Sequence, residues 1–367
     1  RLRALRRNED TKNLRNGRAS SEKVERIRSK ASSDWFKRQD FVTFALRNEP
    51  DTKIETMMKR LLLWVLLLGG TLGATAQQMT VATFNVRYRN EGDAAAGNGW
   101  ERRLPHVCGI VESQGFDIFG AQEVLDDQLH DMLDRLPDYA YIGVGRDDGA
   151  TQGEYAPIFY LRERFELLDE GHFWLSESPG RPSVGWDAAL PRICTWGRFR
   201  DRQSGVVFHF FNLHLDHVGV RARAESCRLV LERIRSMCAP GECCFLTGDF
   251  NVDQTDAIYA LLARSEALRD AYEAAERRYA PNGTFNNFDP EAMTSSRIDH
   301  IFVSPSVEVC SYGVLTSTYR TPVEGSDQEL KSGAFPREVS FYRYRARTPS
   351  DHFPVFVRVK LATPLSE

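Results

Sequence analysis

A single mixed α/β domain over residues 77–367 is the fold class that the sequence predicts, and three observations predict it. Strand-like runs and amphipathic helical stretches are mixed along the whole region, no segment repeats at a fixed period, and no linker divides it. The first run, Met79 to Asn85, alternates well enough to be a strand ending in Asn85, and Gly92 to Gly99 reads as a Gly/Ala/Asn-rich loop. Leu104, Val107, Cys108 and Val111 fall at i, i+3, i+4 and i+7, which predicts a helix stopping near Gly115. Phe116 to Ala121 is a short strand leading into Gln122-Glu123. Leu125, Leu129, Met132 and Leu136 mark a second helix, ended by Pro137. Tyr155–Leu161, Cys194–Phe199 and Val206–Leu213 read as strands, and Cys227, Val230, Leu231 and Ile234 mark a third helix. Phe245–Thr247, Ile298–Val303 and Pro354–Leu361 complete the strand set.

The composition of the 367 residues is ordinary for a globular chain, at 27% charged and 42% hydrophobic. With 26 Gly and 16 Pro it excludes collagen-like and low-complexity classes. The net charge of −3 conceals an asymmetry: residues 1–60 hold 17 Lys and Arg against 9 Asp and Glu, while the other 307 hold 31 against 42. Residues 1–56 are polar and lack helical periodicity. Met57-Met58-Lys59-Arg60 then leads into the apolar run Leu61–Leu68, loosened by Gly69, Gly70 and Gly73 and closed by Ala74-Thr75-Ala76. A basic start, a short apolar core and a small-x-small end predict a signal peptide over 57–76 and a secreted or periplasmic protein. The run is too short for a membrane span. Residues 1–56 then read as an upstream extension preceding a start at Met57 or Met58.

The region after residue 60 is thus acidic, by −11, and contains no basic run. Non-specific nucleic-acid binding depends on Lys and Arg neutralising phosphates, so a bulk nucleic-acid binder is disfavoured. Seven cysteines, Cys108, Cys194, Cys227, Cys238, Cys243, Cys244 and Cys310, show no zinc spacing and read mostly as buried apolar filler.

The candidate site lies at strand ends. Asn85 and Glu123 follow apolar strands, as do His214 with Asp216, and Asp249 with Asn251. Asp299 opens a strand, and Asp351-His352 immediately precede one. Each alone is as readily an ordinary turn residue. Together they place amides, carboxylates and imidazoles at one rim of a partly antiparallel sheet, where sites are usually built. There is no Gly-rich phosphate loop and no Ser nucleophile elbow. Carboxylates with amides suit Mg2+ or Mn2+. Imidazoles beside carboxylates can stabilise charge on a phosphate, and neutral Asn can donate to it. The set therefore points to metal-assisted hydrolysis of a phosphate ester by an activated water.

Six blocks carry a resemblance: Thr83-Phe84-Asn85-Val86-Arg87, Gln122-Glu123, Asn212-Leu213-His214-Leu215-Asp216-His217, Gly248-Asp249-Phe250-Asn251, Ile298-Asp299-His300-Ile301-Phe302 and Ser350-Asp351-His352-Phe353-Pro354-Val355. In this order they resemble the endonuclease/exonuclease/phosphatase superfamily, over about residues 79–361. The resemblance implies a four-layer α/β sandwich, two packed mixed sheets flanked by helices, with the site at one rim. It implies Glu123 as main metal ligand, helped by Asn85 and Asp351, for Mg2+ or Mn2+. Asp249 would orient or deprotonate the water, Asn251 would contact phosphate, and His214 would stabilise the transition state. His352 would face the phosphate, its ring held by Asp299. Asp216-His217 and the Glu154–Tyr160 stretch resemble bacterial members of the deadenylase-like branch, with Asp216 a supporting residue.

Arg192 and Arg347 are candidates for a second phosphate contact, with a solvated charge the favoured reading. Trp196 reads as core and Trp186 as core or cleft. His106, His130 and His172 lie away from the set and carry no role. The expected substrate is a small or lipid-linked phosphate ester. The alternatives are a nuclease or deadenylase-like enzyme and a non-catalytic phosphate- or glycan-binding domain. No protein partner is implied. Leaving-group specificity is expected in Gly145–Gly153, Leu175–Pro191 and Thr316–Thr348.

Overall fold

Alternation along the first strand shows how the layers arise. In the computed structural model, which describes residues 78–323, 330–331 and 340–361, β1 (Gln78–Asn85) sends Val81 to one apolar core and Ala82 and Phe84 to another. The expected extension at 1–56 and signal peptide at 57–76 lie outside the described residues, as does part of the 316–348 segment.

The chain continues through α1 (Glu91–Ala95), α2 (Trp100–Gln114), β2 (Ile118–Gln122), α3 (Asp126–Arg135), β3 (Tyr139–Ile142), β4 (Ile158–Leu161), β5 (Phe165–Trp174), β6 (Ile193–Asp201) and β7 (Val207–His214). It then forms α4 (Val220–Met237), β8 (Cys243–Asp249), α5 (Ala257–Ala263), β9 (Arg269–Asp270), α6 (Ala271–Ala274), β10 (Arg277–Tyr279), β11 (Asp299–Val303) and β12 (Val307–Val314). Two small ribbons follow, pairing β13 (Tyr319–Pro322) with β16 (Tyr344–Arg347) and β14 (Leu330–Lys331) with β15 (Ser340–Phe341), before β17 (Val355–Leu361).

Seven strands in the order β10-β12-β17-β1-β2-β4-β3 make one mixed sheet, and six in the order β5-β6-β7-β8-β11-β9 make the other. Val81, Phe208, Phe210, Phe245, Val355 and Val357 belong to the core between the sheets. Leu104, Val107 and Val111 of α2 pack with Ala82 and Phe84 on the outer face of the first sheet. Val230 and Ile234 of α4 pack with Phe211, Leu213 and Leu246 on the outer face of the second. The result is the four-layer sandwich, helix–sheet–sheet–helix.

Toward one end the inter-sheet core turns polar. Gln122 Nε2 donates to Thr83 Oγ1 (3.0 Å) and Asn212 Oδ1 (2.8 Å), and Thr247 Oγ1 donates to Asn212 Oδ1 (3.0 Å). Asn212 Nδ2 in turn donates to the carbonyls of Ala121 and Pro157 at 2.7 and 2.9 Å. This ladder stitches the sheets together below the rim. Gly120 permits it: a Cβ there would meet Asn212 Oδ1 at 2.2 Å.

The structure revises several local expectations. Gly92–Gly99 is not all loop, because Asn90 accepts a hydrogen bond from the Asp93 N–H (2.8 Å) and caps α1. The fourth strand begins at Ile158 rather than Tyr155, which instead makes isolated bridges to Val124 and Gly145. The rim carrying the candidate residues is shared by two sheets rather than formed by one: β1, β2 and β17 belong to the first, β7, β8 and β11 to the second. α2 ends as expected at Gly115, which adopts the left-handed conformation (φ 62°).

Candidate active site

Strand register delivers the polar residues to one level. Asn85 is paired with Gln122, His214 with Asp249, and Asp249 with Asp299. Glu123 follows β2 in a left-handed backbone conformation (φ 59°), and Asn251 does the same after β8 (φ 50°). These non-glycine residues at positive φ are strained, which is common at functional sites.

Asp249 is at the centre. Its Oδ2 accepts from Asn85 Nδ2 (3.0 Å) and lies 3.6 Å from His214 Nε2 and 3.7 Å from His352 Nε2. Its Oδ1 accepts from the Asn251 N–H (2.9 Å). Burial, and then the neighbouring Asp299, push its carboxyl up to about 7. Asn85 Nδ2 also donates to Glu123 Oε1 (2.9 Å), while Asn85 Oδ1 accepts from the Arg87 N–H (3.0 Å). Asn85 thus offers the donor side of its amide to the two carboxylates, and only a turned amide would present Oδ1 to a cation.

The two histidines differ. His352 Nδ1 bonds Asp299 Oδ2 at 2.9 Å. Burial opposes a charge on this ring, but Asp299 and Asp249 outweigh it and hold the imidazole well above its ordinary pKa. His214 is pushed well below its ordinary value, first by burial and then by the Arg192 and Arg146 guanidinium groups. Asn251 Nδ2 lies 3.2 Å from His214 Nε2 and donates to Leu215 O (3.0 Å).

Asp351 sits on the other flank. Ser350 Oγ donates to Asn85 O (2.7 Å) and lies 3.2 Å from Asp351 Oδ1. Arg87 Nη1 lies 3.8 Å from Glu123 Oε2 and 3.6 Å from Asp351 Oδ2, a cation between two carboxylates. Burial raises the Asp351 carboxyl, with His352 opposing.

A divalent cation fits this donor set. Ligand atoms of Glu123, His214 and Asp249 lie within 4.8 Å of one another, as do those of Asp249, Asp299 and His352, and all are buried. The first group adjoins Asn85, and its two carboxylates are hard oxygen donors of the kind that Mg2+ or Mn2+ takes.

Other candidates fall outside this cluster. Asp216 accepts from the N–H groups of Ala189 (3.1 Å), Val218 (3.0 Å) and Gly219 (2.8 Å), and from Arg192 Nε (3.2 Å), so it pins the 175–191 segment to the turn before α4. Neither arginine is a solvated charge. Arg192 is buried, and Arg347 donates to Asn98 Oδ1 (2.7 Å) and Thr321 Oγ1 (3.1 Å), tying the β13–β16 ribbon to the loop after α1. Trp196 packs against the core beside α4, whereas Trp186 occupies a left-handed turn (φ 49°) in the 175–191 segment. All of the seven cysteines but Cys238 are buried, as apolar filler would be.

Sequence reasoning gave no role to Arg87, Arg103, Arg146 or Phe285. Arg103 is buried and donates to the carbonyls of Val86 (2.6 Å), Arg87 (3.0 Å), Asn98 (2.8 Å) and Pro349 (3.1 Å), locking the end of β1 to the Ser350–His352 turn. Its signal was present: it occupies the i+3 position from Trp100, on the apolar face of α2. Phe285, 40% exposed, meets the His352 ring edge-on at 5.1 Å between centroids.

Comparison with known proteins bears on this geometry. The Endonuclease/Exonuclease/phosphatase family profile matches residues 82–352. The structure is similar to that of a mannosyl-6-phosphatase of Bacteroides thetaiotaomicron, with 50% identity, a TM-score of 0.71, and coverage of 77% of this chain and 99% of that one. It is likewise similar to an endonuclease/exonuclease/phosphatase family protein of the same organism, with 49% identity, a TM-score of 0.72, and coverage of 78% and 98%. An uncharacterized protein of Acanthamoeba polyphaga mimivirus is 28% identical over 161 residues, a match spanning 42% of this chain but only 60% of that protein. With the profile spanning most of its length and the sandwich as its architecture, the chain belongs to the Endonuclease/Exonuclease/phosphatase family.

Proposed function

We propose that this protein is an exported, divalent-metal-dependent phosphatase that removes a phosphate carried by a sugar. The observation that carries the hydrolytic reading is the arrangement around Asp249, with an imidazole on each side and Glu123 linked through Asn85. The sugar is supported by the half-identical relative described as a mannosyl-6-phosphatase. Export is supported by the leader-like run at 57–76.

Glu123, with Asp249 beside it and Asp351 on the flank, would hold the cation, and Asn85 would join them only with its amide turned. When bound, the metal supplies Lewis acidity toward a phosphoryl oxygen and neutralises charge on the leaving oxygen. Asp249 accepts the proton of the attacking water, a task for which its Oδ2, between the two imidazoles, is placed. The Asn251 N–H fixes this carboxylate in place. His352, kept protonated by Asp299, presents a cationic donor to the phosphate as charge develops. His214 with Nε2 accepting from Asn251 is a neutral ring that adds no positive charge near the cation.

Nucleic acid is the weaker reading, because the region after residue 60 carries a net charge of −11. The test incubates the protein with Mg2+ or Mn2+, with and without chelator, on mannose-6-phosphate, an aryl phosphate, a bis-aryl phosphate and single-stranded RNA. Metal-dependent release of phosphate from the monoesters is expected, with Glu123→Gln raising the metal concentration required. Turnover of the diester or RNA alone, or of nothing, would overturn the proposal.

A further inference from the structure

The outer face of the first sheet is covered unevenly. Leu104, Val107 and Val111 of α2 pack over Ala82 and Phe84 of β1, but toward the β10 edge the face opens into a groove of about 520 Å3. Strand register fixes what lies there. Arg277 of β10 pairs with Ser311 of β12, and Ser311 with Arg358 of β17, so the three share one face in one row. Tyr279, Gly313 and Phe356 form a second row in the same way. All six line the groove, and Arg277, Tyr279 and Arg358 are exposed. Gly313 makes room for the Phe356 ring, which a Cβ there would meet at 2.3 Å.

The charges in this groove are unbalanced. Among the described residues, the guanidinium groups of Arg277 and Arg358 have no carboxylate partner, and Arg358 lies 5.7 Å from the centroid of the Phe356 ring instead. Farther along β17 the pattern differs: Lys360 is paired with Glu308 across the strands. Protection of a sheet edge accounts for an arginine on β10 but not for Arg358, because β17 lies inside the sheet. Two unpaired guanidinium groups rooted two strands apart, about 10 Å, leave a cationic gap over a serine. That gap stands out on a region whose net charge is −11.

Guanidinium groups are fork-shaped donors that suit phosphate, and aromatic rings beside them offer an apolar face to a sugar. The groove has the size of a site for one small unit, whereas a nucleic-acid strand needs cations along a longer track. It is separate from the reacting groups. Arg358 lies six residues beyond His352, up to about 20 Å of extended chain, and Phe356 and Arg358 alternate with Val355, Val357 and Val359 of the core between the sheets.

We infer that this groove is a second binding site for a phosphorylated sugar unit, with the phosphate on Arg277 and Arg358 and the sugar against Tyr279 and Phe356. The inference rests on the phosphatase reading above for the kind of phosphate ester. It adds that the substrate is a glycan chain bearing more than one phosphate, one at each site.

The test titrates the protein by calorimetry, in chelator, with a mannose oligosaccharide bearing several 6-phosphates, with the same oligosaccharide dephosphorylated, and with single-stranded RNA. The phosphorylated chain is expected to bind, less tightly as salt is raised, and Arg277→Gln/Arg358→Gln to weaken it at least about 10-fold. With Mg2+ the double variant is expected to keep the wild-type kcat/KM on mannose-6-phosphate, which also shows that it folds, and to lose at least about 10-fold on the oligosaccharide. Arg358→Gln alone serves if the double variant does not fold. Equal binding of the dephosphorylated chain, tighter binding of RNA, unchanged affinity in the folded variant, or a wild-type dimer in solution that the variant abolishes would overturn the inference. Turnover of no phosphate by a protein that still binds the chain through Arg277 and Arg358 would instead overturn the phosphatase reading and leave this site standing.

Discussion

The two imidazoles that flank Asp249 lie at similar distances from it, 3.6 Å for His214 and 3.7 Å for His352, yet the fold gives them opposite electrostatics. His352 enters just before β17 and meets Asp299 at the start of β11, so a carboxylate lies behind its ring. His214 ends β7 and has two buried guanidinium groups behind it instead, delivered by the segments around Arg146 and Arg192. The same side chain becomes a cation in one place and a neutral ring in the other. Charge behind the ring, rather than distance to Asp249, divides their work.

Removing the cationic ring should have the largest effect. His352→Ala is expected to lower kcat on a phosphomonoester by at least about 10²-fold, measured at saturating Mg2+. Asp299→Asn keeps the ring but removes what holds its proton, so about a 10-fold loss is expected, with the alkaline limb of the pH–rate profile moving to lower pH. An unmoved limb would break the contrast, since His352 would then owe its charge to something else. His214→Asn replaces a neutral ring by a neutral amide, and a loss of less than about 10-fold is expected in the same assay. A loss equal to that of His352→Ala would show that the two rings do the same job.

A smaller effect is expected in stability. The Asp249 carboxyl is raised from 3.8 to about 7, so the folded protein holds a proton there that the unfolded chain has released. That contribution is present below about pH 4 and is lost as the pH rises through about 7. Without metal the melting temperature should therefore fall across this window. A divalent cation competes with the same proton, so Mg2+ or Mn2+ should raise the melting temperature more at about pH 8 than at about pH 5.5. An increment independent of pH would place the cation away from Asp249.

Much of the architecture was legible because the strands reaching the rim are short apolar runs that stop on a polar residue or start from one. The three long helices show plain i, i+3, i+4 spacing. What escaped notice has physical causes. β5 and β12 carry register shifts, between Leu167 and Asp169 and between Val309 and Ser311, that break the two-residue period. α1 has no buried residue, so no apolar spacing announces it. At the site, the Asp, Asn and His side chains could be read from their strand-end motifs. Their supports could be read only in part: Arg103 grips carbonyls, which leave no trace in sequence, and Arg192 and the Glu154 stretch stood out as candidates while their pairings with Asp216 and Arg146 emerge only on folding. The same limit hid the buried pairing of Arg192 with Asp216.

Water labelled with heavy oxygen decides whether the metal and Asp249 act on phosphorus, when hydrolysis of mannose-6-phosphate is followed with Mg2+ and with chelator. Water deprotonated at Asp249 and attacking phosphorus puts label in the released phosphate and none in the sugar, with release only when the metal is present. Label in the sugar hydroxyl, or equal release in the presence of chelator, would contradict that attack.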